Sequence, residues 1–155
     1  MLYLNKLQPS PSAETQRALR AADGYLVLGL AAEALEELDG IAPRERGIAV
    51  VLLARIRVLL HLRQWPAAED LSRHGAGKFP EEEEFTVQRA FSLHQMQQAT
   101  EAVAVLHAAP DWIRRTGILH YNLACYEARL GNLAAARECI DAAIEIGRAS
   151  CRERV

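Results

Sequence analysis

The side chains best equipped for chemistry are four consecutive glutamates (Glu81–Glu84), five histidines (His61, His74, His94, His107, His120), three cysteines (Cys125, Cys139, Cys151) and two tryptophans (Trp65, Trp112). Consecutive carboxylates suggest a cation site or an acidic docking patch, but calcium loops alternate their ligands around a glycine turn. This run directly follows Pro80, where carboxylates favour the positive end of a helix dipole, so it reads as a helix start. The histidines form no HExxH or other pair at helical ligand spacing. His120 and Cys125 are five residues apart and point about 140° away from each other on a helix, which argues against a shared metal site with Cys139. Structural histidines and buried, inert thiols are the expected reading. Gly77-Lys78-Phe79 lacks the upstream glycine and following hydroxyl residue of a phosphate loop. No Ser-His-Asp set or dinucleotide fingerprint is present. The expectation is no catalytic residue, no metal, no cofactor and no enzymatic activity.

The bulk properties narrow the partner. At 155 residues, half of them apolar and a quarter charged, the chain is long enough for one domain with a continuous core. Its formal charge of −2 provides no basic surplus for nucleic acid or an anionic membrane. The run Gly47–Ala54 ends at Arg55 and is too short to span a bilayer. The N-terminus has neither a signal-peptide core nor a small-residue cleavage site. The cysteines make no CxxC pair, so reduced thiols in a cytoplasm are expected.

The elements that position these groups follow from a repeat. Ala34, Ala68, Ala102 and Ala136 are spaced by 34 residues, and so are Ala22, Ile56, Ala90 and Ala124, twelve residues earlier in each copy. The same period relates Leu28, Leu62, Met96 and Leu130, and then Gly29, Arg63, Gln97 and Gly131 at the expected helix–helix turn. Four insertion-free copies indicate a solenoid of stacked supersecondary units. Apolar residues at i, i+3, i+4 and i+7 predict helices over about 13–28, 31–39, 46–62, 65–77, 81–96, 99–108, 113–130 and 133–146. In the last copy Leu119, Leu123, Tyr126 and Leu130 make one stripe, and Leu133, Ala136, Ile140 and Ala143 the next. The alanines allow two helix backbones to approach closely.

The stretch HYNLACYEARLGNLAAARECIDAAI (His120–Ile144) resembles a tetratricopeptide repeat (TPR), matching the Leu–Ala pair (Leu123, Ala124), the turn glycine (Gly131), and Ala136, Ile140 and Ala143. Tyr25 and Pro80 supply further family positions, whereas Ile56, Ser72, Arg63 and Gln97 depart from them. The resemblance implies an all-α fold, a right-handed α-solenoid of four antiparallel helix pairs. It gives an N-terminal extension (1–14), a TPR-like domain (15–144, units about 15–48, 49–82, 83–116 and 117–144) and a tail (145–155). That tail, EIGRASCRERV, reads as the translation of a widely used sequencing adapter. It is therefore expected to be non-native, with the natural chain continuing beyond Ile144.

In the resembled family the first helix of each unit lines a concave groove that binds an extended peptide or a partner helix. Projecting the period places Leu19, Asp23, Leu53, Arg57, Val87, Phe91, Tyr121 and Cys125 on that side, with Gln88, His94, Asn122 and Arg129 near it. Binding and plain helix packing both remain open for this set. Trp65 is expected in the core, between helices. Asp23 and Ala54 stand where the family's chaperone-tail clamp carries asparagine, and Asp23 would repel a terminal carboxylate, so that ligand is not expected. Three functions fit: a non-catalytic protein–protein interaction scaffold, a small secretion-type chaperone, or the N-terminal repeat domain of a longer enzyme or regulator truncated near residue 144. An uncapped last helix adds self-association as a further expectation.

Overall fold

The computed structural model describes residues 10–152, with side chains through Ala149. It divides between Gln64 and Trp65 into two compact units. The first holds α1 (Ala13–Val27), α2 (Ala31–Asp39) and α3 (Ala49–His61). The second holds α4 (Trp65–Lys78), α5 (Glu83–Gln95), α6 (Ala99–His107), a 3₁₀ turn (Ile113–Arg115), α7 (Gly117–Arg129) and α8 (Leu133–Arg152). Among the described residues all regular structure is helical, and no helix is long and apolar enough to cross a membrane. The division falls inside the second predicted repeat, at its helix–helix turn.

Both alanine columns are buried: Ala34, Ala68, Ala102 and Ala136 in one, Ala22, Ala90 and Ala124 in the other, with Ile56 filling the remaining place. Ser72, which replaces an aliphatic residue, is also buried, and its hydroxyl donates to the Ala68 carbonyl one turn back at 2.7 Å. A polar side chain satisfied in this way costs little in an apolar setting. The column of turn residues is left-handed throughout, with φ of +76° at Gly29, +56° at Arg63, +65° at Gln97 and +83° at Gly131. Backbone geometry thus holds even where the sequence departs from glycine, at a strain of about 1–2 kcal/mol for each non-glycine residue.

Four boundaries differ from the sequence expectation by two residues or more. Helix α3 begins at Ala49 rather than 46 because the residues before it serve other helices. The Glu45 carboxylate accepts from the Ser12 amide (3.3 Å), the Ser12 hydroxyl (2.9 Å) and the Thr15 hydroxyl. Hydrogen bonds from Thr15 and Ser12 hold its carboxyl below the ordinary range. Arg46 donates to the carbonyls of Ile41 and Asp39, both at 2.7 Å, capping the end of α2. Helix α5 starts at Glu83, keeping Glu83 and Glu84 in its first turn. Helix α7 starts at Gly117, because buried Ile113 anchors a separate 3₁₀ turn ahead of it. Helix α8 runs to Arg152, well past 146.

That last extension carries α8 into the first residues of the tail. A Cβ on Gly117 would lie 3.7 Å from Ile146, so this tail residue packs against the start of α7. The inward face of α8 is accordingly Ala136, Cys139, Ala143 and Ile146, while Leu133 and Ile140 of the predicted stripe are exposed, the apolar surface expected of an uncapped last helix. Alanine, arginine and glutamate propagate a helix readily, and a lone Gly147 costs only about 1 kcal/mol. Leu130, expected to extend the α7 stripe, sits at the helix end and is exposed as well.

The second unit contains one crossing tighter than any alanine permits. A Cβ added to Gly75 in α4 would lie 2.2 Å from the ring of Phe85, which is fully buried and stacked on Phe79 with centroids 5.9 Å apart. In an open helix Gly→Ala gains about 1 kcal/mol; here the overlap reverses the sign. Gly75→Ala should destabilise by about 1–3 kcal/mol in urea unfolding, and the loss should shrink in a Phe85→Leu background. An unchanged or raised midpoint would refute this contact.

Candidate functional site

The sequence-predicted groove residues all lie on first helices of helix pairs, and none is buried. In the first unit Asp23 on α1 and Arg57 on α3, one repeat apart, form an ion pair at 3.1 Å with both side chains about half exposed. Such a pair contributes about 0–1 kcal/mol, but it ties up the guanidinium expected to grip a peptide and neutralises the carboxylate expected to repel one. Leu53, one turn before Arg57 on α3, is half-buried.

In the second unit α5 and α7 present Val87, Gln88, Phe91 and His94 from one helix and Tyr121, Asn122 and Arg129 from the other. The His94 ring stacks on buried Tyr126, with centroids 4.5 Å apart and planes 25° apart. The Tyr126 hydroxyl donates to Asn122 Oδ1 at 3.1 Å, and Asn122 Nδ2 donates to the Ile118 carbonyl at 2.8 Å. Arg129 donates to the side chain of Gln97. Burial pushes the Tyr126 phenol well above its ordinary value. Burial, then the Arg129 charge, lowers His94. His94 Nδ1 is buried and has no hydrogen-bond partner among the described residues.

Trp65 is half-buried rather than a core residue and meets Phe91 edge-on at 6.3 Å. Tyr121 and Cys125 lie exposed on α7, so the reading of Cys125 as a buried thiol is corrected. Sequence reasoning missed Tyr126 as the support of this face, because it assigned that residue to the core stripe and could not see the His94 ring across from it. The surface is thus aromatic and amide-rich, with its strongest polar groups already braced by one another. Among the described residues no three of His, Cys, Asp and Glu converge as a metal site would require.

No family model and no curated protein matches the chain in sequence. Solved structures do match in fold. MamA 41-end from Desulfovibrio magneticus RS-1 is 18% identical, with a TM-score of 0.71 over 88% of this chain and 77% of that one. The MamA RS-1 ArsTM double mutant is 14% identical, with a TM-score of 0.72 over 90% and 79%. MamA MSR-1 C2 is 17% identical, with a TM-score of 0.69 over 86% and 76%. At these identities the likeness is one of fold, all-α and of the TPR-like α-solenoid class.

The half-buried, lowered His94 gives a pH signature. Its folded value lies below the ordinary 6.5, so the unfolded chain binds the proton more readily. The contribution of His94 to stability is therefore complete above about pH 6.5 and is lost as pH falls through and below that value. Comparing urea midpoints at about pH 7.5 and about pH 5.5, His94→Phe should keep the stack and lose less stability on acidification than the parent. An identical acid loss in both proteins would contradict the assignment.

Proposed function

We propose that the protein is a non-catalytic protein-interaction scaffold whose first helices, above all α5 and α7 of the second unit, hold a peptide or partner helix. The observation that carries this reading is the α5–α7 face itself. It combines an exposed aromatic, Tyr121 at 55% exposure, with half-buried Phe91, His94 and Asn122 braced from below by Tyr126. Rigid aromatics supply contact area at low entropic cost, and fixed amides read a backbone. The free thiols of Cys125 and Cys139 support a cytoplasmic setting. With Arg57 and Asn122 already engaged and Arg129 bonded only to the exposed Gln97, exposed Tyr121, with Arg129 on the same helix, is the side chain on which capture depends most.

A peptide selected from a random display library against the purified protein should bind, and Tyr121→Ala with Arg129→Ala should weaken it about tenfold or more while circular dichroism stays native. Failure to select any peptide, or selected peptides indifferent to the double change, would overturn the reading.

A second observation supports self-association. Leu133 (71% exposed), Ile140 (36%) and Ile144 (46%) fall within about 40° of one another around α8, an apolar row that no described residue covers. Light scattering should show a mass that rises with concentration, and Leu133→Glu with Ile144→Glu should hold the protein monomeric. A parent that stays monomeric at high concentration removes this idea.

A further inference from the structure

The second unit holds a cavity of about 430 Å³ that the groove reading does not use. Its floor is apolar, built from Leu106 on α6 and Leu119 and Leu123 on α7, and its rim carries His107, Arg114, Arg115 and His120. Leu119, His120 and Leu123 span an arc of about 100° on α7, and Tyr121, Asn122 and Arg129 span another on the opposite side. The cavity and the α5–α7 face are therefore separate surfaces of one helix.

The rim groups are unevenly engaged. Arg114 pairs with Asp111, whose carboxyl is held below the usual range by that bond. Arg115, exposed at the end of the 3₁₀ turn, forms no ion pair among the described residues. His120 keeps a buried Nδ1 without a hydrogen-bond partner among those residues. His107 Nε2 is 4.0 Å from the Glu127 carboxylate, which is itself satisfied by Asn132 at 2.7 Å. The cavity thus offers, above a leucine floor, two imidazoles and one guanidinium that forms no ion pair among the described residues and acts on the lining Asp111 only through its charge.

We propose that this cavity is a second docking site, for a peptide segment that alternates aliphatic and acidic residues. The aliphatic side chain fills the leucine floor, and the neighbouring carboxylate accepts hydrogen bonds from Arg115 and His120. A planar guanidinium matches a carboxylate geometrically, and the leucine floor rewards an apolar side chain that a free anion lacks. Arg114 is bonded to Asp111 whereas Arg115 acts on it only through its charge, which leaves Arg115 the cation free to bond an incoming carboxylate.

The test is fluorescence polarisation with a labelled short peptide alternating leucine and glutamate, titrated with the full chain. The peptide should bind and weaken as salt rises. Arg115→Gln should cost about tenfold, the worth of one charge-assisted hydrogen bond. His120→Gln gives an independent second variant, with native circular dichroism required of both. Glutamine-for-glutamate and serine-for-leucine peptides should each bind more weakly, and Tyr121→Ala with Arg129→Ala should leave binding unchanged. Absence of binding, or indifference to both Arg115→Gln and His120→Gln, overturns the proposal. Inorganic phosphate competing as well as the peptide would replace it with a small-anion site. Loss through the Tyr121 and Arg129 changes instead would move the peptide to the α5–α7 face and leave only that reading standing.

Discussion

In α1–α2, α5–α6 and α7–α8 alike, the two helices close around a side chain no larger than a methyl group. Ala34, Ala102 and Ala136 sit at these positions, opposed by Ala22, Ala90 and Ala124, and all are buried. Close backbone approach lets the larger residues on either side interdigitate instead of holding the helices apart. From that constraint follow the two separate cores, one around Leu38, Val51 and Val58 and the other around Leu106, Leu119, Leu123 and Tyr126. Gly75 carries the same logic one step further, since the Phe85 ring occupies the space of its missing Cβ.

Polar groups then decide what the cores leave open. In the first unit Glu45 and Arg46, neighbours in one short connection, reach in different directions. Glu45 ties down the start of α1 and Arg46 caps the end of α2. A connection used in this way cannot also be the first turn of α3, which is why that helix starts late. In the second unit the ladder from His94 through Tyr126 to Asn122 gives α5 and α7 a common face. The price is a histidine whose proton affinity burial and the Arg129 charge lower.

The two sides of α7 have different chemistry. One carries Tyr121 and Asn122, an aromatic and an amide suited to a peptide backbone. The other combines leucines with Arg115 and His120, suited to an apolar side chain beside a carboxylate. The exposed row on α8 extends the pattern: Leu133, Ile140 and Ile144 are surface while Ala136, Cys139, Ala143 and Ile146 face inward.

The sequence by itself determined the helix count, the 34-residue register, the buried alanines and the left-handed turn column. These depend on local periodicity and steric size, which repeat along the chain. It also placed the groove candidates on unburied positions of first helices, because a helix face follows directly from residue spacing. Only the tertiary structure decided which of them already have partners: Arg57 meets Asp23 across one repeat, and Asn122 is braced by Tyr126. It likewise decided the inward face of α8, where Leu133–Ile140 and Cys139–Ile146 are equally good helical patterns and packing against Gly117 selects the second. The cavity lined by Arg115 and His120 was illegible for the same reason. Its walls come from α6, the 3₁₀ turn, α7 and α8, and no spacing along one segment reveals what separate segments enclose.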